Sequence, residues 1–258
     1  MESREKGDHM MEKGGRAGLE RQMRRQAGWL SESWLWLLRT KVLSGMPRRP
    51  KALDAGCGPG FVMEVLGNEM EVEGIDMDPD MVEMCRARGL NVTRADAAKL
   101  PFEDGHFDIA YCSFLLLWAK DPLKVIGELK RVSRRWVLCL AEPDYGGRID
   151  HPAELAGIRD ILAEGIRREG GDPFCGRKLR AMFRESGLDG EIGVHPGVWE
   201  LGRLKEESSE EWRWIDGAAR LAGIKDGELD GLREEWRAAI GRGILFQFNP
   251  VFYALARK

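Results

Sequence analysis

Apolar residues in this chain follow two rhythms in succession. Between Leu19 and about Leu43, Trp29, Leu30, Trp34, Leu37 and Leu38 recur near the 3.6-residue spacing of one helical face, and Met46-Pro47-Arg48-Arg49-Pro50 breaks the run. From Lys51 onward short apolar blocks alternate with amphipathic stretches. Lys51–Ala55, Val72–Asp76, Leu90–Ala95, Phe107–Ser113 and Trp136–Ala141 read as strands. Phe61–Glu69, Pro79–Arg88 and a segment opened by Asp121-Pro122 and running to about Val132 read as helices, the last two with proline in the first turn. Strands separated by helices of this length predict a doubly wound α/β fold, a mostly parallel sheet with right-handed crossovers.

Beyond Gly147 the pattern is mostly helical. It predicts helices over His151–Arg168, Arg177–Ser186 and about Glu206–Ala239, a strand over Glu191–Trp199 and one long alternating strand over Ile244–Ala256. The two late strands suit an edge pair that brings the sheet to seven, with the extra helices as a cap on the substrate side. The organisation implied is a disordered tail (1–16), an N-terminal helical arm (17–50), a core (51–147) and a region of cap helices with the last two strands (148–258).

Composition narrows the class. A chain of 258 residues with 43% apolar content can bury one good-sized core, and no apolar run reaches the length of a membrane span. The start lacks a secretory apolar segment, and the five scattered cysteines form no C-x-x-C pair, so a reducing cytoplasm is the expected setting. The four histidines are dispersed, and no metal site is expected. Net charge is −3, but residues 1–50 carry +5 and the remainder −8, so a basic arm on an acidic body could meet phosphates locally. Three Asn and three Gln beside 32% charged residues suggest a thermophile.

The chemistry concentrates at strand ends. Leu53-Asp54-Ala55-Gly56-Cys57-Gly58-Pro59-Gly60-Phe61 places a glycine turn between a strand and a helix, where positive φ and close approach of a ligand to backbone are possible. The spacing is Gly-x-Gly-x-Gly, and Phe61 stands where a dinucleotide site has its last glycine, which disfavours an oxidoreductase. About twenty residues on, Asp76 ends the second strand, where a carboxylate can accept from both hydroxyls of a ribose. Asp96 ends the third, where it could accept from an adenine amino group.

This set resembles the class I S-adenosylmethionine-dependent methyltransferases, especially the small enzymes similar to the quinone C-methyltransferases. The resemblance runs from about Lys51 to Pro143. It implies S-adenosyl-L-methionine as cofactor, with Asp54, Gly56, Cys57, Gly58 and Gly60 around its methionine part. Asp76 would hold the ribose, Met77 would pack on the adenine, and Asp96 with Ala97 would meet the adenine edge. Cys112 would sit at the end of the fourth strand, beside the reactive methyl group. The family often has His-His near Leu117-Trp118; here the slot offers no imidazole base.

The acceptor is read from Glu142-Pro143-Asp144-Tyr145, after the fifth strand. The tetrad resembles the Asp/Asn-Pro-Pro-aromatic motif of methyltransferases acting on exocyclic amino groups of bases, although Asp144 replaces the second proline and the position follows strand five rather than four. That resemblance makes Glu142, Asp144 and Tyr145 the candidate catalytic residues. Pro143 and Trp118 would line the acceptor, and Arg21 and Arg25 would contact RNA, with cytosine N4 of ribosomal RNA as the sharpest expectation, one or two methyl groups being added. The competing expectations are a small-molecule acceptor under a Trp-rich helical cap, and a non-catalytic protein that keeps the nucleoside pocket.

Overall fold

The central strands are those whose sequence is apolar almost without interruption, as strands covered on both faces must be. The computed structural model describes residues 15–225 and 227–258. Its first helix, α1 (Gly15–Leu37), continues as a wider turn through Val42. Then come β1 (Lys51–Ala55), α2 (Phe61–Leu66), β2 (Glu71–Asp76), α3 (Pro79–Ala87), β3 (Val92–Arg94), β4 (Phe107–Ser113), α4 (Pro122–Val132) and β5 (Ser133–Pro143). The rest of the chain forms β6 (Ile149–His151), α5 (Gly157–Arg168), α6 (Cys175–Glu185), β7 (Gly190–Val194), α7 (Leu201–Leu221), α8 (Asp230–Arg242), β8 (Phe246–Phe248) and β9 (Val251–Arg257).

Seven strands form one sheet in the order β3-β2-β1-β4-β5-β9-β7. All neighbours from β3 to β5 are parallel, and β9 runs antiparallel to both β5 and β7. This is the expected doubly wound sheet with its late edge pair, the fold of class I methyltransferases. The chain leaves β1 toward β2 and β3, then returns to β4 on the other side of β1. That reversal opens a crevice at the carboxyl ends of β1 and β4, where open α/β sheets bind ligands.

Two compact units divide the contacts. One contains residues 23–143, 175–196 and 251–258 and holds the seven-stranded sheet; among the described residues the other contains 15–22, 144–174 and 197–250. Segment boundaries at 51 and 147 cut across them, because β7 and β9 return to the sheet after long excursions. Of the tail expected over 1–16, the first fourteen residues lie outside the described residues, and Gly15 and Arg16 already belong to α1.

In the sheet unit, Leu30, Trp34, Leu37 and Leu38 pack with Ala52, Ile109, Tyr111, Leu138 and Leu140, so the helical stripe read from the sequence covers one face of the sheet. Trp34 is fully buried, and its Nε1 donates to the Leu140 carbonyl at 3.1 Å. His195 is pinned nearby: its ring nitrogens sit 2.7 Å from Ser33 Oγ and 2.6 Å from the Leu140 carbonyl. Burial holds its pKa below the usual histidine range.

The other unit contains α5, α7, α8 and a two-stranded sheet of β6 and β8. Gly165 lets α5 lie against α7; a Cβ there would come within 2.6 Å of the Ala218 backbone. The strand expected over 191–199 ends at Val194, and three further elements differ. The helix over 206–239 is two helices, because Gly223 takes a left-handed φ of 81° and ends α7. The strand over 244–256 is split at Asn249-Pro250: β8 pairs with β6, and only β9 joins the large sheet. The helix from His151 starts instead at Gly157, after β6 and a short 3-10 turn.

Candidate functional site

The glycine turn after β1 is held by backbone and by one carboxylate. Gly56, Gly58 and Gly60 take φ values of 71°, 53° and 85°, where a side chain is strained. The Gly56 and Cys57 amides both donate to the Ile75 carbonyl on β2, at 2.8 and 2.9 Å. Asp76 then ties turn to strand: its Oδ2 accepts from the Gly58 amide at 2.8 Å and its Oδ1 from the Asp78 amide at 2.9 Å. Each oxygen keeps a second lone pair for a ligand hydroxyl. Burial raises the Asp76 pKa, and those amides oppose the shift.

Asp54 lies beneath the turn, opposite Tyr111 in the β1–β4 register. It is 1% exposed, and the Tyr111 hydroxyl is its polar neighbour. Burial pushes its carboxyl up to about 8, the Tyr111 hydroxyl opposes the rise, and the negative charge of Asp76 adds to it. A buried acid beneath a turn of left-handed glycines fits a cofactor with an ammonium and a sulfonium, since either cation would favour its charged form. Space fits as well: a Cβ on Gly58 would meet nothing nearer than Met23 Sδ at 3.5 Å.

The remaining cofactor candidates lie at neighbouring strand ends. Met77, just after β2, is 68% exposed. Asp96 is exposed, and its Oδ1 accepts from the Ala98 amide at 2.8 Å, while Ala97 is buried. Cys112 is wholly buried and faces Cys139, its register partner. These two thiols and a Glu142 oxygen lie within 4.8 Å of one another. That carboxylate is already engaged by backbone, which leaves the grouping a packing role.

The acceptor candidates are placed less openly. Glu142 is completely buried. Its Oε1 accepts from the Leu115 and Leu116 amides at 2.9 and 2.7 Å, and its Oε2 from Leu117 at 3.2 Å. Burial lifts its carboxyl to about 7 against these bonds. It therefore fastens the turn after β4 that carries Trp118, which is 39% exposed. Asp144 is 2% exposed, and its Oδ1 accepts from the Gly147 amide at 3.1 Å, capping a 3-10 turn that begins at Tyr145. Tyr145 and Pro143 are buried. Glu142 and Pro143 belong to the sheet unit, Asp144 and Tyr145 to the other. Arg21 is exposed and pairs with Glu210 at 3.8 Å, and Arg25 is half-buried.

Some groups escaped the sequence reading. The guanidinium groups of Arg24 on α1 and Arg88 after α3 lie 4.5 and 4.2 Å from the Phe61 ring, and Arg88 also donates to the Pro59 carbonyl of the turn at 2.9 Å. In the second unit Arg148 donates to Asp150 at 2.9 Å and to Glu211 at 2.7 Å, and Gln247 donates to the same Glu211 oxygen at 3.0 Å. All four are buried. Opposite charges at Arg148 and Asp150, two apart in the chain at the start of β6, were a legible signal; their distant partners were not.

Residues 53–139 match the family model described as a methyltransferase domain. An uncharacterised 37.1 kDa protein in transposon TN4556 of Streptomyces fradiae is 35% identical over 166 residues, 58% of this chain and 47% of that protein. The chain thus spans about half of that relative. The demethylmenaquinone methyltransferase of Bacillus velezensis is 27% identical over 189 residues, 67% of this chain and 76% of the enzyme. Among solved structures, phosphoethanolamine N-methyltransferase 2 of Haemonchus contortus, in complex with S-adenosyl-L-methionine, has a TM-score of 0.53 at 17% identity, over 88% of this chain and 52% of that one.

Proposed function

We propose that this chain, built on an S-adenosylmethionine-dependent methyltransferase domain, moves the methyl group to a small-molecule acceptor. The observation that carries the cofactor half is Asp76, whose carboxylate is oriented by the amide of the glycine turn itself. The bound cofactor supplies an electrophilic methyl carbon on a sulfonium, which leaves without acid assistance. The protein's work is then alignment and exclusion of water. The glycine turn receives the methionine part, Asp54 balances its cation, and Asp76 accepts from the ribose hydroxyls. Glu142 holds the Leu115–Trp118 turn, so that Trp118 offers an aromatic face to the acceptor.

A small acceptor is favoured over RNA by two features. The carboxylates of Glu142 and Asp144 accept from backbone amides, an arrangement that suits anchoring better than polarising a base amine. Arg21 is matched by Glu210, which weakens the basic arm as a phosphate contact. A small phenol, enol or amine that brings its own reactive lone pair asks least of such a site, and the relative acting on demethylmenaquinone has an acceptor of that scale.

The test is incubation with methyl-labelled cofactor and, separately, a metabolite extract and total RNA. Label is expected in small molecules, with a rate little changed between about 50 and about 200 mM salt, whereas phosphate-dependent binding would fall steeply over that range. Label recovered as methylated nucleosides instead would overturn the small-acceptor reading.

A further inference from the structure

Two thiols meet under the cofactor turn. Cys57 is part of the turn, and Cys85 projects from α3. Cys85 Sγ donates to the Gly58 carbonyl at 3.1 Å, and Cys57 Sγ lies 3.7 Å from the same oxygen. The two thiols therefore converge on one carbonyl oxygen. Both belong to a small apolar cluster with Met63, Val82 and Val92. The packing around them has no slack: a Cβ on Gly60 would lie 3.0 Å from Cys85 Sγ, and one on Gly74 would lie 2.9 Å from Cys57 Sγ. Cys85 is fully enclosed and Cys57 is 6% exposed, so a water-sized oxidant reaches the pair past Cys57.

We propose that Cys57 and Cys85 are an oxidative modification site, whose disulfide shuts down cofactor binding at the glycine turn. The oxidant is hydrogen peroxide. One thiol of the pair, as its thiolate, is the attacking sulfur. Its sulfur takes one peroxide oxygen as the O–O bond breaks, and the other oxygen leaves as water. The partner sulfur then displaces the bound oxygen as a second water, and the S–S bond forms. Two thiols lose two electrons and two protons, and one peroxide becomes two waters.

Oxidation removes the thiol donor from the Gly58 carbonyl. It also draws Cys57, whose peptide bond to Gly58 carries the amide that Asp76 holds, toward α3, so the turn no longer presents its backbone in the geometry that Asp76 sets.

The loss of affinity rests on the turn being the cofactor site, but formation of the bond does not, and the experiment separates the two. The reduced full-length chain is titrated with S-adenosyl-L-methionine by calorimetry, treated with hydrogen peroxide, mapped by mass spectrometry without reduction, and titrated again. Expected are a Cys57–Cys85 linked peptide, a dissociation constant raised about tenfold or more, and recovery with dithiothreitol. Cys85→Ser keeps a donor for the Gly58 carbonyl and should hold its affinity through the same treatment. Bound cofactor should slow linkage in the unmodified protein, a measurement that stands if the variant folds poorly. No Cys57–Cys85 link, or a link that leaves affinity unchanged, overturns the proposal; a reduced chain that never binds the cofactor overturns the functional reading instead.

Discussion

Asp54 is where a single residue states most about the site. Its neutral form is stabilised by burial up to about pH 8, whereas an unfolded chain releases the proton near 3.8. The folded state thus binds more protons between these limits, and stability from this residue is present below pH 4 and lost as pH rises to about 8. Asp54→Asn removes that loss. The difference in melting temperature between variant and parent should grow in the variant's favour from pH 4 to 8 and then level off, read by calorimetric scans across pH. A constant difference would mean that the carboxylate is already ionised in the folded protein.

At the level of elements, a large side chain joins α1 to the sheet. Trp34 is fully buried on the face that the sheet presents and bonds the Leu140 carbonyl. Trp34→Ala should cost about 3–5 kcal/mol in urea unfolding, from lost transfer energy and the cavity left behind. Trp34→Phe keeps most of the volume and should cost less. The α1 stripe was legible because its rhythm is local. The break of β8 from β9 was written in Asn249-Pro250 but overlooked, since the alternating pattern continues across it and only a missing N–H and a change of partner strand divide the two.

For the molecule as a whole, the division into two units gives a sharp expectation. Arg148 is enclosed with Asp150 and Glu211 inside the unit of residues 144–174 and 197–250. Removing one partner of a buried ionic group leaves charge unmatched and costs about 3–5 kcal/mol. Arg148→Met should speed hydrogen exchange strongly across α5, α7 and α8, while β1, β4 and α4 change little. Equal acceleration in both units would show that they unfold as one.

The glycine turn, the acids at three strand ends and the alternation of strands and helices were all determined by sequence, because each depends on residues near one another in the chain and on backbone rules that act over a few positions. Tertiary structure alone decided what the acids do. Glu142 read as a catalytic carboxylate and proved to hold three amides that lie 25 to 27 residues back in the chain. Burial and the meeting of Cys57 with Cys85 likewise arise from residues brought together by folding, and no local pattern encodes which distant group will fill the remaining lone pair.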